Sequence, residues 1–299
     1  MIANKEKKRP VPASGTGRSV SLAVTYDQYD PPIFETILEH ADIIEIAPDS
    51  VARWIEGKPK IDPRFIKQLQ DLPRSKKVVV HGVGLSIGSV DGMNEDYLSL
   101  LDILYNELPL AWHSEHLAFT TVNGESLMTM VTLPRTEESL ELVAGHVSQL
   151  KDWYDIPFLL ENVAHVLPAF EPDYSEAAFL NELCKRSGCR LILDTYNLEC
   201  DMDNYNLNAE AFLDELNLEN VHEIHIANGP VRDGFKMDVH QYPTSERTRN
   251  FTKEVLGRPD CKPSALTYEI LPELLPALGK EGLAKELSLL KKTLIKDEA

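Results

Sequence analysis

Short apolar runs alternate with amphipathic stretches along most of the chain. The runs predict eight strands, SLAVTY from 21, IIEIAP from 43, KVVVHG from 77, LAWHSEHL from 110, PFLLEN from 157, RLILDT from 190, EIHIAN from 223 and ALTYEI from 265. Continuous apolar runs of this length are typical of strands that are buried on both faces. Between them, stretches such as TEESLELVAGHVSQLKDWY place apolar residues three and four positions apart, which predicts helices.

The repeated order of strand and helix decides the predicted fold class. Eight such units, most with polar residues where the strand ends, favour a closed (β/α)8 TIM barrel over a doubly wound open sheet. A chain of 299 residues is long enough for one such α/β domain. We therefore predict a TIM barrel over 19–299, preceded at 1–18 by a disordered leader that is basic and then rich in proline, serine and glycine.

Charge and cysteine content narrow the classes of function. A net charge of −18 disfavours binding to a nucleic-acid backbone. The four cysteines form no CxxC pair, so the sequence offers neither a zinc knuckle nor a thioredoxin-type motif. No apolar segment is long enough for a membrane span or a secretion signal. We expect a cytoplasmic protein that binds neither nucleic acid nor a membrane.

The predicted strands repeatedly end in residue types that bind metals. Parallel strands of a barrel all point their carboxyl ends at one mouth, so these side chains should converge there. Taken singly, each histidine could be a buried side chain bonded to a carbonyl, and an aspartate could cap a turn. Together they would be costly to bury unless ions or hydrogen bonds satisfied them, which favours a metal site. The six residues are His81, His116, Glu161, Asp194, His225 and Glu269.

Position along the barrel predicts which ion each residue would bind. Glu161 lies on the fifth strand and is the natural bridge between two ions. The first ion would take His81, His116 and Glu161; the second Glu161, Asp194, His225 and Glu269; a third Asn197, Asp238 and His240. Histidine and carboxylate without thiolate suit iron, manganese or zinc.

Several further residues border this predicted site. Two long connections, 163–174 and 227–244, are candidate pocket loops, and we predict substrate contacts from His165, Asn228 and Tyr242. His113 lies three residues before His116 and should point to the opposite face of the strand. For Glu45, hydrogen bonding inside the barrel and a role in the site remain equal alternatives.

The motifs HGVGLSIGS, SEHLAF, LPRTEESL, LLENVAH, LDTYN, EIHIA, DVH and YEI occur in this order. In combination they resemble the motifs of the multinuclear non-heme iron oxidative enzymes, formerly a family of unknown function, across 19–295. That family is similar to the xylose isomerase-type barrels and to endonuclease IV. The resemblance implies the three ligand sets given above.

The resemblance also implies an activity and its requirements. It implies two or three irons in a mixed Fe(II)/Fe(III) state, with dioxygen as co-substrate. The substrate would be a ribosomally made precursor peptide, modified at a cysteine or a C-terminal aspartate and held by a partner protein or recognition domain. The reaction would be centred on the metals, so no side-chain acid or base is assigned.

Two segments depart from the family pattern. This chain has HIANGP from 225 where the family commonly has HLAGH, and YEIL where it has IEWD, so the substrate or the bond cleaved differs from better-known members in our interpretation. Three other functions stay open: a divalent-metal sugar isomerase or epimerase, a phosphodiester hydrolase, and a non-catalytic peptide-binding partner. The acidic charge disfavours the hydrolase.

Overall fold

A computed structural model describes residues 20–167 and 172–295 of the chain. The predicted leader at 1–18 and part of the 163–174 connection lie outside these ranges. Fourteen strands are present in the described part: β1 Ser21–Thr25, β2 Ile43–Ile46, β3 Ala52–Ile55, β4 Lys58–Ile61, β5 Lys77–Gly82, β6 Leu110–His116, β7 Ala118–Val122, β8 Glu125–Thr132, β9 Phe158–Glu161, β10 Arg190–Asp194, β11 Val221–Ile226, β12 Val231–Arg232, β13 Phe235–Lys236 and β14 Ala265–Tyr268.

Ten α-helices accompany them in the same described part. They are α1 Pro31–His40, α2 Pro48–Val51, α3 Pro63–Gln70, α4 Glu95–Glu107, α5 Glu137–Trp153, α6 Glu176–Ser187, α7 Thr195–Tyr205, α8 Ala209–Glu215, α9 Glu246–Leu256 and α10 Leu275–Leu294, with a short 3₁₀ turn at Leu218–Asn220. None of the helices in the described ranges is both long and apolar enough to span a bilayer.

Eight parallel strands close into a barrel in the order β1-β14-β11-β10-β9-β6-β5-β2. These are the eight strands that the apolar runs predict, so the predicted closed barrel is confirmed and the open sheet is excluded. Helix starts follow from local sequence, because Asp30, Asn94, Thr136 and Ser175 each accept a hydrogen bond from a backbone N–H of the first helical turn.

Alternation along each strand separates two apolar layers. Leu22, Val24, Val80 and Leu160 face outward and join the large core between the barrel and its helices. The inward-facing residues form a second, smaller cluster at the base of the barrel, made of Ala23, Ile43, Val79, Trp112, Leu159, Ile192 and Ala265. The next inward positions along the same strands are polar. The barrel interior therefore changes from apolar to polar towards its carboxyl end.

The strand register sets polar residues beside one another at this end. His116 pairs in register with Glu161 across β6 and β9. Asp194 pairs with His225 across β10 and β11. Residues far apart in sequence thus become neighbours because their strands are parallel and staggered in this way.

Three small antiparallel hairpins were not predicted from the sequence. They are β3-β4, β7-β8 and β12-β13, and the last lies within the long 227–244 connection. Helices α2, α7 and α9 were also missed. Helix α7 begins directly after β10, where the polar sequence of TYNLECDMDNY masked its buried face.

Gly82 provides a test of the packing beneath the site. A Cβ atom at this position would lie 1.7 Å from the Tyr97 hydroxyl and 2.7 Å from Glu115 Oε1. We expect Gly82→Ala to lower the free energy of unfolding by about 1–3 kcal/mol, because buried overpacking forces Tyr97 aside. Chemical denaturation measures this loss. The Gly82→Ala/Tyr97→Phe double variant should recover part of it, and equal losses in both variants would contradict the explanation.

Candidate metal centre

The six strand-end residues meet at the carboxyl mouth of the barrel. All of them except His116 are buried, and His116 is partly buried. Three groups among them have ligand atoms that all lie within 4.8 Å of one another. The first is His81, His116 and Glu161, the second is Glu161, Asp194, His225 and Glu269, and the third is His81, His225 and Glu269. The first two groups coincide with the first two predicted ligand sets and share Glu161.

The two oxygens of Glu161 face different neighbours. Oε2 lies 2.8 Å from His81 Nε2 and 3.5 Å from His116 Nε2. Oε1 lies 3.8 Å from His225 Nδ1 and accepts a hydrogen bond of 3.3 Å from Asn197 Nδ2. The carboxylate is therefore placed between the first two groups, as the predicted bridge requires.

Hydrogen bonds fix the proton positions on two of the histidines. The Ser114 hydroxyl donates to the carbonyl of Val80 at 3.0 Å, so it accepts from His81 Nδ1, also at 3.0 Å. His116 Nδ1 lies 2.9 Å from the carbonyl of Gly82, which can only accept. Both rings therefore carry their proton on Nδ1 and direct the Nε2 lone pair at Glu161.

Asp194 and Asn197 are held by the start of α7. Asp194 Oδ1 accepts from the Asn197 backbone N–H at 2.7 Å and caps the helix, while its Oδ2 atom makes no hydrogen bond. The Asn162 side chain bonds the Asp194 backbone on both sides, at 2.8 and 3.1 Å. The capping role considered for Asp194 is present and leaves one oxygen free for the site.

The third predicted set is assembled only in part. His240 Nε2 lies 2.6 Å from Asp238 Oδ1 and 3.7 Å from Glu269 Oε2. His240 has a positive φ of 44°, so the segment that carries this pair turns there instead of staying extended. Asn197 contacts Glu161, and its Oδ1 atom makes no hydrogen bond.

The segment with Asp238 and His240 is attached to α7 by contacts that the sequence did not suggest. The Tyr196 hydroxyl accepts from the Gly229 N–H at 2.7 Å and donates to the Met237 carbonyl at 3.2 Å. Lys236 is buried, forms an ion pair with Glu199, and exchanges two 2.8 Å hydrogen bonds with Asn204. These contacts position the segment over the barrel mouth.

The three predicted substrate contacts lie in different surroundings. His165 is outside the three groups: its Nδ1 is 2.7 Å from Asp201 Oδ2 and its Nε2 is 3.2 Å from Arg135. The Asn228 side chain donates to the Pro243 carbonyl at 2.7 Å, so it braces the segment that follows His240. Tyr242 is exposed, which leaves its ring accessible.

The placement of His113 confirms the expectation from strand alternation. This histidine contacts Tyr105 of α4 and Glu115 on the helix side of the barrel, at 3.1 and 2.8 Å. Glu45, in contrast, faces the interior, where its Oε2 lies 3.4 Å from His225 Nε2.

The electrostatics of the centre combine burial with crowded carboxylates. Burial lowers the pKa of His81 and of His116, so both are neutral at pH 7. Burial raises the pKa of Asp194 to about 8, and the charges of Glu269 and Asp238 add to the effect. Burial alone would lower the pKa of His225, but the carboxylates of Glu269, Glu45 and Glu161 outweigh it and hold the pKa well above the usual value.

Comparison with known proteins identifies the family. Residues 29–277 match the family described as RiPP precursor modification enzyme MbnB/TglH/ChrH, where RiPP denotes a ribosomally synthesised and post-translationally modified peptide. The chain belongs to this family. The resemblance inferred from the motifs is thereby confirmed.

Individual relatives extend the match. A UPF0276 protein of Acaryochloris marina is 30% identical over 201 residues, which cover 67% of this chain and 73% of the relative. One from Rhizorhabdus wittichii is 33% identical over 166 residues, 56% of this chain and 59% of the relative. The match therefore spans less than two thirds of that second relative.

Solved structures share the fold. D-psicose 3-epimerase from Clostridium cellulolyticum with D-tagatose has a TM-score of 0.56 at 13% identity, covering 92% of this chain and 99% of that one. Endonuclease IV from Thermus thermophilus has a TM-score of 0.59 at 16% identity, covering 92% of this chain and 98% of that one. These likenesses confirm the xylose isomerase-like barrel and carry no information on the reaction.

The raised pKa values predict how the metal-free protein responds to pH. Asp194 and His225 bind protons more tightly in the folded than in the unfolded chain, so stability falls as pH rises through their folded pKa values. The lowered pKa values of His81 and His116 make stability depend on pH only below about pH 6.5, the usual pKa of histidine. We expect the melting temperature of chelator-treated protein to fall between about pH 7 and about pH 8.5.

Scanning calorimetry at several pH values measures this change. Divalent metal should remove the dependence, since cations replace the bound protons. Asp194→Asn, which cannot ionise, should show a weaker dependence than the unaltered protein. A melting temperature of the metal-free protein that rises over the same interval would contradict the electrostatic account.

Proposed function

We propose that this chain is a multinuclear non-heme iron enzyme that uses dioxygen to modify a side chain of a ribosomally made precursor peptide. The proposal rests on one observation: in a member of the RiPP precursor modification family, buried nitrogen and oxygen atoms that make no hydrogen bond converge at the barrel mouth. We call these atoms the unpaired donors, since each can donate a lone pair to a metal ion. Their number, type and orientation suit metal ions.

The unpaired donors share one property, which is burial without a hydrogen bond. They are nitrogen and oxygen atoms that are buried and make no hydrogen bond of acceptable geometry: His81 Nε2, Glu161 Oε2, Asp194 Oδ2, Asn197 Oδ1, His225 Nδ1, Asp238 Oδ1, His240 Nε2 and Glu269 Oε2. Native proteins rarely leave such atoms unsatisfied, because each costs about 1–3 kcal/mol. Bound cations would satisfy all of them at once.

The proton positions of the histidines also suit metal binding. His81 and His116 direct lone pairs towards Glu161 because Ser114 and the Gly82 carbonyl hold their protons on the other nitrogen. Hydrogen bonds of this type orient metal-bound histidines in many proteins. The first ion would thus meet two preset nitrogen ligands and one carboxylate oxygen.

Glu161 would link the first ion to the second. Its oxygens face opposite groups, and Asn197 donates to Oε1 and restrains the carboxylate. Asp194, His225 and Glu269 would complete the second ion, and Asn197 Oδ1 with Asp238 and His240 would hold a third. Nitrogen and carboxylate ligands without thiolate suit iron, and also zinc or manganese.

Iron, when bound, would supply one-electron redox chemistry with dioxygen. The protein's own residues would hold the ions close together, exclude bulk water and leave room for substrate. The buried Lys236–Glu199 ion pair and Tyr196 keep the Asp238–His240 segment in place over the mouth. No side-chain acid or base is required by this arrangement.

The substrate would be a precursor peptide with a modifiable cysteine or C-terminal aspartate. Exposed Tyr242 and the Asn228-braced segment lie next to His240 along the chain, where an entering peptide would contact them. His165 would contact the peptide at the other long connection. A partner protein or recognition domain would present the peptide. The HIANGP and YEIL departures adjoin this region and would alter the peptide or bond chosen.

The alternatives have no comparable support. Likeness to D-psicose 3-epimerase extends to the fold alone, so it does not favour sugar isomerisation. A non-catalytic binding function does not account for the unpaired donors. Metal content tests the non-catalytic alternative, and the identity of the metal tests the isomerase.

Substitution of the bridging carboxylate tests the predicted connectivity. We expect Glu161→Ala to lower the metal content by more than one equivalent, because it removes a ligand from two ions. His240→Ala should lower it by one equivalent or less, since this residue belongs to the third set only. Mass spectrometry of bound metal measures both. His40→Ala, a histidine paired with Ser288 far from the mouth, serves as the control. Unchanged metal content in both site variants would refute the ligand sets.

Metal identity tests the reaction class. Protein purified without oxygen from iron-supplemented cells should contain two or three irons per chain, coupled in Mössbauer spectra and reactive with dioxygen. The matched preparation from zinc- or manganese-supplemented cells should be inactive towards the precursor peptide. Stoichiometric zinc or manganese without iron in the native preparation would instead favour the isomerase or hydrolase functions.

A further inference from the structure

The His225 ring lies between two pairs of carboxyl groups. On one side, Nδ1 is 3.2 Å from Glu269 Oε2 and 3.8 Å from Glu161 Oε1. On the other, Nε2 is 3.4 Å from Glu45 Oε2 and 3.7 Å from Glu223 Oε1. The first side belongs to the proposed metal centre. The second side faces the base of the barrel and has no part in the ligand sets.

Glu223 is already committed to other partners. Trp112 Nε1 donates to its Oε2 at 2.7 Å, and the Thr267 hydroxyl donates to its Oε1. Trp112 belongs to the apolar cluster at the barrel base, so these bonds fix Glu223 within the interior. Each of its oxygens therefore has a donor without His225.

Glu45 has no such commitment. It follows Ile43 by two positions on β2, so it points into the barrel one layer above the apolar base. It is buried, and neither of its carboxyl oxygens makes a hydrogen bond within the described residues. His225 Nε2 is likewise without one. Glu45 and His225 Nε2 are therefore neighbours without partners: the carboxyl oxygen can accept a hydrogen bond, and the ring nitrogen can donate one.

A second, deeper metal site does not explain this arrangement as well. Glu45, Glu223 and His225 do have atoms within 4.8 Å of one another. However, each Glu223 oxygen already accepts a hydrogen bond, and of this group only the Glu45 oxygens and His225 Nε2 make none. The atoms that need a partner are therefore one carboxyl group and one ring nitrogen, and a hydrogen bond between these two satisfies them without an ion.

We propose that Glu45 is a positioning residue that accepts the Nε2 proton of His225 and thereby directs the Nδ1 lone pair at the second ion. The inference rests on the proposed function for the existence of that ion. The present separation of 3.4 Å exceeds a usual N–H···O distance, so the proposal requires Glu45 and the His225 ring to approach each other when the second ion is bound. Carboxylate–histidine–metal arrangements of this kind tune metal affinity by about 10- to 100-fold.

The proposed hydrogen bond between Glu45 and His225 would make the first and second ions differ in how their histidine ligands are held. His81 and His116 each donate their single ring proton, on Nδ1, to a hydroxyl and a peptide carbonyl respectively, which are neutral acceptors. His225 alone of the three faces a carboxyl group in that role. A carboxylate acceptor makes the opposite nitrogen a stronger donor, so the effect of Glu45 should fall on the second ion.

Glu45→Leu and Glu45→Gln test the inference, with Co²⁺ as the probe. Glu115→Gln is the matched control, because Glu115 is equally buried and lies 2.8 Å from His113, on the helix side of the barrel. We expect Glu45→Leu to weaken Co²⁺ binding at one site by about 10- to 100-fold and to change the visible spectrum of the bound cobalt. Glu45→Gln, whose amide oxygen can still accept, should restore part of the affinity. Glu115→Gln should leave the Co²⁺ affinity and the visible spectrum unchanged.

Nitrogen NMR of the zinc-loaded protein supplies an independent readout. The His225 ring should carry its proton on Nε2 in the unaltered chain, and the resonance of that proton should shift or broaden in Glu45→Leu while the signals of His81 and His116 stay. A proton found on Nδ1 of His225 would overturn the proposal.

Other outcomes separate this inference from the proposed function. Equal Co²⁺ affinity in Glu45→Leu and the unaltered protein overturns the positioning role while the metal centre stands. Loss of one whole equivalent in Glu45→Leu, together with no proton on His225 Nε2 in the unaltered protein, overturns it in favour of a deeper ion bound by Glu45 and His225. Failure of the unaltered protein to bind any metal refutes the proposed function itself.

Discussion

The mouth of this barrel is governed by the cost of burying several carboxyl groups against one another. Glu161, Asp194 and Glu269 share one buried group with His225. Without cations, protons relieve the crowding: burial and neighbouring carboxylates raise the pKa of Asp194 and of Glu161. The carboxylates of Glu269, Glu45 and Glu161 hold the pKa of His225 well above its usual value. In the proposed function, metal ions would relieve this crowding more completely. Protons and cations would then compete for the same atoms.

The fold supplies this balance through strand register. Parallel strands bring every carboxyl end to one side, and the stagger places His116 beside Glu161 and Asp194 beside His225. The apolar layer below is small, with Trp112 as its largest member, and it separates the polar mouth from the opposite end. Stability is provided mainly by the larger core between strands and helices, which leaves the inner positions available for chemistry.

Residues that are not proposed metal ligands orient the side chains of those that are. Ser114 and the Gly82 carbonyl set two histidine rings, Asn162 joins the ends of β9 and β10, and Tyr196 attaches the later segment to α7. In each case a neutral hydrogen bond restrains a residue without adding charge to a crowded site. Glu45 differs, since it adds a carboxyl group beside His225, and that difference is what gives it a distinct role.

The sequence alone determined the barrel and the convergence of the strand-end polar residues at its mouth, because both depend on patterns within single strands. A buried parallel strand reads as an apolar run, and a polar residue at an inward-facing position near its carboxyl end projects into the mouth. Tertiary structure alone decided three other features: the small hairpins, the contact of Lys236 with Glu199, and the proton positions of His81 and His116. Each depends on partners that register and loop path bring together. Likewise, the sequence left Glu45 undecided, since only the closed barrel places it opposite the second nitrogen of His225.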